Sequence, residues 1–308
     1  MLIKEKAEDS PLVSICLITY NHEKYIRQSV DSILSQQMNF SYELIIADDA
    51  STDGTQQILR ENYGQNSKVR LILREKNTEG KNTYLALQEA RGKYIYNCEG
   101  DDFWIGNDGL STLVDWLESH EDYVGVCGRR LTQSEKTEAL SVTYDKRTDN
   151  REISLYDFWE NKATFDLCAI LYRNFYHDGK WNYRYYVACP RVGDLTIVTY
   201  ILLHGKIFQL DKVVGVYRTD RIRNAGAYNT ITSPREKFEE HLALISNLPD
   251  LLSVKLNYSG KRRIYAEWYI SSFASTYEFI RQIPYLVRRL GIRITFYYLK
   301  KWVDDIRK

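Results

Sequence analysis

The chain has 308 residues and a net charge of +1, with 44% hydrophobic and 27% charged residues, which is ordinary globular composition for one large domain or two smaller ones. The net charge of +1 lacks the excess of basic residues that is typical of nucleic-acid-binding proteins, and no nucleic-acid partner is expected. The five scattered cysteines form no CxxC pair and favour a reduced, cytoplasmic protein. The tail at residues 1–10 lacks the apolar core of a signal peptide, and no apolar run is long enough to span a bilayer.

From residue 11 the chain alternates short apolar runs with helical patterns, which predicts strand–helix–strand units and a mostly parallel sheet flanked by helices. The predicted strands are 12–20, 42–49, 69–75 and 93–97. The predicted helices are 22–36, a turn and helix over 50–62, and 80–92. These elements make up a first half of α/β character, residues 11–105.

Residues 106–222 show a mixed pattern and form a second half of the sheet-bearing region. The predicted elements there are a helix at 108–119, strands at 123–128 and 167–173, a helix at 191–206 and a strand at 207–218. From about residue 223 no strand signal is convincing, and segments 233–248 and 262–282 are predicted to be helices. Residues 223–308 are therefore expected to form a helical C-terminal region.

Polar side chains follow three of the predicted strands. They are Tyr20 and Asn21, Asp48 and Asp49, and the group of Glu99, Asp101 and Asp102. In an open α/β sheet ligands bind beyond the carboxyl ends of the strands, so these three groups are expected to face one cleft. The predicted fold class therefore places the expected ligand site at one edge of the sheet.

The acidic groups each allow two interpretations. Carboxylates at 99, 101 and 102 are ligands that Mg²⁺ or Mn²⁺ prefers, but a solvated acidic turn has the same composition. The pair at 48 and 49 can accept hydrogen bonds from a ribose and a base, or can open a turn. No GxGxxG, GxxxxGK[ST], HExxH or GxSxG motif is present, so a nucleotide must be held in another way.

Four segments in this order resemble the glycosyltransferase family 2 enzymes, which have the GT-A fold. The segments are VSICLITYNHEKYIRQSVDSIL, YELIIADDASTDGT, EKNTEGKNTYLALQEARGKYIYNCEGDDFW and VGDLTIVTYILLHGKIFQLDKVVGVYR. The resemblance covers residues 11–220, about two thirds of the chain. It implies transfer of a sugar from a nucleoside diphosphate donor, expected to be a UDP-sugar, with inversion at the anomeric carbon.

The resemblance also implies roles for individual residues around the donor. Thr19, Tyr20 and Asn21 match the loop that packs on the base, Asp48 and Asp49 match contacts to the pyrimidine and ribose, and Asn82 matches a polar donor position. The DxD signature of the family takes the form Glu99-Gly100-Asp101 here. Glu99 would face the ribose, and Asp101 would bind the Mn²⁺ or Mg²⁺ that bridges the two phosphates.

Further assignments concern the second half. Asp194 matches the catalytic base of the family, although Asp is also a common helix N-cap. Arg218 can neutralise the diphosphate or pair with Asp211, and Asp220 stands where similar enzymes often carry a metal-reaching His. Two residues are candidates for acceptor contacts, Asp102 and Trp104, and Trp104 is equally well explained as a core residue.

The C-terminal segment 281–308 holds eight Lys or Arg and two Asp, a net charge of +6, among many aromatic and aliphatic residues. Such a segment can lie on an anionic membrane, or it can pack its aromatics on the domain or on a second subunit of a homodimer. The expected protein is a bacterial transferase, cytoplasmic or on the inner membrane face, that builds a glycan or lipid-linked glycan such as a capsule or O-antigen. A catalytically weak sugar-binding module and a nucleotidyltransferase are the alternatives.

Overall fold

The computed structural model describes residues 10–142, 150–163, 165, 167–176, 193–219, 232–251, 259–273 and 275–306. The chain forms two compact units. The first comprises Met1–Phe158 and Lys162–Asn224, and the second comprises Trp159–Asn161 and Ala225–Lys308.

The first unit is built on a sheet that contains ten strands within the described residues. The strands are β1 Val13–Thr19, β2 Tyr42–Asp48, β3 Val69–Leu73, β4 Tyr94–Glu99, β5 Phe103–Trp104, β6 Gly125–Ser134, β7 Leu140–Val142, β8 Arg151–Ile153, β9 Ile170–Arg173 and β10 Ile207–Thr219. Their order is β3-β2-β1-β4-β9-β6-β10-β5, with β7 beside β6 and β8 beside β10. β1 to β4 are mutually parallel and β10 is parallel to β6, while β9, β5, β7 and β8 run antiparallel to their neighbours.

Helices connect the strands and make up most of the second unit. They are α1 Ile26–Leu34, α2 Thr55–Tyr63, α3 Asn82–Leu87, α4 Gly109–Glu118, α5 Leu155–Trp159, α6 Gly193–Leu203, α7 Pro234–Leu251, α8 Ser259–Ser271, α9 Thr276–Leu290 and α10 Ile292–Ile306. None of these helices, in the part of the chain that the structure describes, is long and apolar enough to cross a membrane.

The central strands are held in place by a core on which the helices pack. In β1 six of the seven residues are buried, which fits an apolar strand covered on both faces. Ile15 of β1 shares its hydrophobic cluster with Val30 and Ile33 of α1, Leu59 of α2 and Leu113 of α4. Full burial of each such side chain contributes about 1.5–3 kcal/mol, so this core stabilises the strand order that brings the polar strand ends together.

The main correction to the predicted elements lies in the second unit. The single helix predicted over 262–282 is wrong, because α8 ends at Ser271 and α9 begins at Thr276. Ser275 caps the new helix: its side chain accepts a hydrogen bond of 3.2 Å from the backbone N–H of Glu278. A capped start of this kind favours two helices over one continuous helix.

Candidate active site

The parallel register places three of the predicted site segments at one edge of the sheet. Thr19, the last residue of β1, lies opposite Asp48 of β2, and Ile18 lies opposite Glu99 of β4. Thr19 and Asp48 are fully buried, whereas Glu99 is exposed. The expectation that these strand ends meet is confirmed, and this carboxyl edge is the position where open α/β sheets bind ligands.

The loop after β1 is tied to the loop after β2. Asn21 adopts a left-handed backbone conformation with φ of 55°. Its N–H donates to the hydroxyl of Ser51 at 2.8 Å, and its side-chain oxygen accepts from the backbone N–H of Thr52 at 2.7 Å. Two residues further on, the carboxylate of Glu23 accepts from the N–H of Gly54 at 2.6 Å. The loop that carries half-buried Tyr20 is therefore held in one conformation.

Asp48 and Asp49 make extensive contacts inside the protein. The carboxylate of Asp48 accepts hydrogen bonds from the N–H and hydroxyl of Ser51 and from the amide of Gln56. Asp49 accepts from the N–H of Thr78 at 2.8 Å. These contacts fit the turn interpretation of the pair, and the base and ribose contacts of both residues stay a prediction.

Asn82 is buried at the start of α3. Its amide N–H donates to the carbonyl of Ala47 at 2.8 Å, and its side-chain oxygen accepts from Nε of Arg74 at 2.8 Å. The side chain thus joins the end of β2 to the segment after β3, and a donor contact of Asn82 stays a prediction.

The acidic group after β4 forms a compact cluster of three carboxylates. Glu99, Asp101 and Asp102 each offer one oxygen atom, and the three atoms lie within 4.8 Å of one another. Asp101 and Asp102 are buried. Burial, followed by the charge of Glu99, raises the pKa of Asp102 to about 8. Negative charge is therefore crowded here, and a cation would relieve that crowding.

Two residues that the sequence analysis did not assign hold this cluster. His22 places Nε2 3.4 Å from Oδ2 of Asp101 and Nδ1 3.2 Å from the hydroxyl of Thr19. Gln28 of α1 accepts a hydrogen bond from the guanidinium of Arg218. In the sequence, His22 is marked only by its place in the loop after β1. No other histidine stands at a metal-ligand spacing from it along the chain.

Arg218 of β10 lies against the acidic cluster and is itself buried. Its backbone N–H donates to Oδ1 of Asp102 at 3.0 Å, and its guanidinium donates to the backbone carbonyl of Asp101. The guanidinium carbon lies 4.6 Å from the ring centre of Phe103. Asp211, the alternative partner considered from the sequence, pairs with Arg129 instead. Arg218 therefore positions the acidic loop, and a contact to a diphosphate stays a prediction.

Trp104 belongs to the core of the first unit. It is buried, pairs with Gly215 of β10, and meets Tyr96 edge-on at a centroid distance of 4.6 Å. Its backbone N–H donates to the hydroxyl of Ser32 at 2.9 Å. These contacts favour the core interpretation, and an acceptor contact from Trp104 stays a prediction.

Asp194 lies in the first turn of α6, one residue after the helix begins. Its side chain is exposed in the described part of the chain, and desolvation, followed by the charge of Glu99, raises the pKa of Asp194 to about 6. Asp220, the proposed additional metal ligand, lies outside the described residues.

The cluster fits a divalent cation. Its three carboxylates are hard oxygen ligands, and Oδ2 of Asp102 is buried with no hydrogen-bond partner in the described part of the chain. A buried carboxylate oxygen without a partner costs free energy, which a bound cation would offset. Glu99, Asp101 and Asp102 are the residues that can hold the ion.

A family model described as Glycosyl transferase family 2 matches residues 14–179, more than half of the chain. The chain belongs to glycosyl transferase family 2. The matched segment includes the strand ends and the acidic cluster, whereas Asp194 and Arg218 lie beyond it. The family expected from the sequence is therefore confirmed.

Other proteins share more of the chain. An uncharacterized protein of Mycobacterium tuberculosis is 32% identical over 237 residues, covering 74% of this chain and 64% of that protein. The Staphylococcus aureus TarS structure in complex with UDP-GlcNAc matches with a TM-score of 0.61 at 19% identity, over 91% of this chain and 79% of that one. A Pyrobaculum calidifontis mannosyltransferase in complex with GDP-Man and Mn²⁺ matches with a TM-score of 0.51 at 15% identity, over 96% and 81%.

The sequence relative and the solved structures support different conclusions. The chain matches less than two thirds of the length of the mycobacterial relative. The two solved structures show the fold, and the predicted α/β architecture with a large central sheet flanked by helices is confirmed.

Proposed function

We propose that this protein is a metal-dependent, inverting glycosyltransferase that moves a sugar from a UDP-sugar to a hydroxyl of a glycan or lipid-linked glycan. The observation that carries the proposal is the cluster of Glu99, Asp101 and Asp102 at the carboxyl edge of the sheet, with ligand atoms within 4.8 Å of one another. Membership of glycosyl transferase family 2 supports the reaction class. The TarS structure with UDP-GlcNAc supports the choice of UDP.

The donor would bind across the ends of β1, β2 and β4, in the half formed by residues 11–105. Tyr20 and Asn21 lie on the loop after β1, which would pack on the base, and Glu99 is exposed and would accept hydrogen bonds from the ribose. Asp101, oriented by His22, would hold Mn²⁺ or Mg²⁺ against the diphosphate. The ion bound there would neutralise negative charge that develops on the leaving nucleoside diphosphate.

Asp194 would act as the general base in the acceptor half, residues 106–222. It takes the proton of the acceptor hydroxyl as the oxygen forms a bond to the anomeric carbon. The bond from that carbon to the phosphate oxygen breaks, and its electron pair leaves with UDP. A carboxylate with a pKa of about 6 is ionised at neutral pH and still basic enough to accept a proton, and such a base contributes about 10²- to 10⁴-fold to the rate.

The acceptor class is the least constrained part of the proposal. The relative TarS is named poly(ribitol-phosphate) beta-N-acetylglucosaminyltransferase, and it is 32% identical over 130 residues, or 39% of this chain and 22% of that protein. That likeness supports a polymeric acceptor, and we propose a glycan or lipid-linked glycan of the kind assembled into a bacterial capsule or O-antigen. A cytoplasmic enzyme at the inner membrane face would meet such an acceptor.

The test is calorimetric titration of UDP into the protein with and without Mn²⁺, on the wild type and on Asp101→Asn. Asp115→Asn is the matched control, because Asp115 is an exposed carboxylate on α4. We expect metal-dependent UDP binding in the wild type and the control, and its loss in Asp101→Asn.

Two further readouts separate this function from its alternatives. Turnover with a UDP-sugar must release UDP, since release of pyrophosphate would identify a nucleotidyltransferase. Turnover must also fall in Asp194→Asn while UDP binding persists. Binding of the donor with no turnover in the wild type would identify a binding module, and metal-dependent binding of dTDP or GDP alone would correct the nucleotide.

A further inference from the structure

The last helix of the second unit exposes an apolar face. Ile292, Phe296 and Tyr297 of α10 are 61%, 55% and 56% exposed, which is unusual for side chains of this size. Thr295 and Tyr298 of the same helix are buried. The helix therefore has one face that packs within the unit and another, the outward face, that displays large apolar side chains.

Side chains of α9 and α10 that face the interior of the second unit are already packed. Leu286 and Tyr298 are buried, and the hydroxyl of Tyr298 donates to the backbone carbonyl of Arg263 at 2.8 Å. Tyr285 donates to the carboxylate of Glu239 at 2.5 Å. Packing within the domain, one of the alternatives for this segment, thus accounts for these three residues but leaves the outward face unexplained.

Basic side chains lie on the same outward face. Successive helical residues are turned by about 100°, so Ile292, Phe296 and Lys300 form one stripe, and Arg293 and Tyr297 form the stripe beside it. Arg293 and Lys300 are exposed. Neither has an ion-pair partner among the residues that the structure describes, whereas Lys301, further round the helix, pairs with Glu267 at 3.1 Å.

We propose that this outward face docks on an anionic lipid bilayer. With α10 parallel to the membrane, Ile292 and Phe296 enter the boundary between headgroups and acyl chains, and Arg293 and Lys300 lie near lipid phosphates. Each basic residue near an anionic surface strengthens binding about fivefold. Residues 281–308 carry a net charge of +6, but Arg289 and Lys301 pair with Glu239 and Glu267, so the attraction is assigned to Arg293 and Lys300.

Charge favours a bilayer over a second copy of the chain as the occupant. A symmetric pair of these faces would bring the Arg293 and Lys300 side chains of two copies together, and like charges at an interface are unfavourable. An anionic membrane instead complements both the charges and the apolar side chains. The surface belongs to the second unit and the candidate active site to the first, so this inference stands or falls separately from the proposed reaction.

The test is flotation of the full chain with vesicles of phosphatidylcholine alone and of phosphatidylcholine mixed equally with phosphatidylglycerol. The apolar variant is Ile292→Ser with Phe296→Ser, and the charge variant is Arg293→Gln with Lys300→Gln. The control is Leu140→Ser with Tyr156→Ser, because these residues are 52% and 57% exposed in the first unit. Unchanged melting temperatures show that the variants are folded.

We expect the wild type and the control to float with the anionic vesicles and not with the neutral ones. We expect the charge variant to bind about 25-fold more weakly, from two losses of about fivefold each, and the apolar variant at least about tenfold more weakly. Three results would overturn the proposal: no binding of the wild type to anionic vesicles, equal binding to neutral vesicles, or binding that neither variant weakens. A dimer that the apolar variant dissociates, with no lipid binding, would instead assign the face to a second copy.

Discussion

Replacing Gly100 with Ala should displace the acidic cluster, because the added methyl group has no room. It would lie 2.7 Å from the hydroxyl oxygen and 2.8 Å from Cβ of Thr19, and 3.0 Å from Nδ1 of His22. Favourable contacts between carbon atoms lie at about 3.5–4.0 Å. Thr19 is fixed in β1 between two strands, and the N–H of Gly100 donates to the carbonyl of Ile18 at 2.8 Å. Neither side of the contact can move without breaking hydrogen bonds.

The expected cost follows from this geometry. Overpacking of a well-packed site lowers the free energy of unfolding by about 1–3 kcal/mol. A loss of about 2 kcal/mol corresponds to a shift in melting temperature of about 4–8 °C for a unit of this size. Since Gly100 lies between Glu99 and Asp101, the same displacement should weaken metal-dependent binding of UDP.

Thermal unfolding and UDP titration with Mn²⁺ check both effects. The matched control is Gly215→Ala, whose added methyl group would meet, among the residues that the structure describes, only the carbonyl oxygen of Phe103, at 3.4 Å. We expect the control to resemble the wild type in both assays. The reasoning would be refuted by a Gly100→Ala variant that melts and binds UDP like the control.

Three further predictions concern single side chains. Asp194→Asn should lower turnover about 10²- to 10⁴-fold with UDP binding intact, and wild-type kcat/KM should fall as the pH drops below about 6, where Asp194 gains its proton. Because the folded-state pKa of Asp194 is raised, the ionised carboxylate destabilises the fold above that pH, so Asp194→Asn should melt higher than the wild type at pH 8; an equal or lower melting temperature would contradict the raised pKa. Arg218→Met should remove the donor to the backbone carbonyl of buried Asp101, at a cost of about 1–3 kcal/mol, together with the hydrogen bond to exposed Gln28, and a denaturant titration that shows no loss would contradict the positioning role. Trp104→Phe should leave a small cavity, cost about 0.5–3 kcal/mol and leave the KM for acceptor unchanged, whereas a large rise in that KM would restore the stacking prediction.

Most of the longer strands of the first unit were predictable because their sequences are mainly apolar. The segments around Ile15 and Ile45 are continuous apolar runs, and such runs are typical of buried parallel strands. The two-residue strand β5 and the short strands β7 and β8 were not predicted, since each forms by pairing with β6 or β10 and carries little signal of its own. The break between α8 and α9 was readable, because Ser275 and Glu278 have the spacing of a capping box.

Some features of the candidate site could likewise be predicted from the sequence, and others could not. The meeting of Thr19, Asp48 and Glu99 follows from the rule that parallel strands share a carboxyl edge. The hydrogen bond from Arg218 to Gln28 joins positions 190 residues apart, and no local pattern encodes such a contact. Neither could the sequence decide between the two interpretations of Asp48, because a turn and a nucleotide contact call for the same residue.

If the proposed function holds, the hydrogen bonds between the loops after β1 and β2 constrain how a donor preference could be redesigned. Asn21 depends on Ser51 and Thr52, and Glu23 depends on Gly54. A loop grafted alone from another family member would arrive without its partner and would leave the polar groups of buried Asn21 unmatched. The two loops are therefore a single module, and a change of nucleotide specificity should require that both be transplanted together.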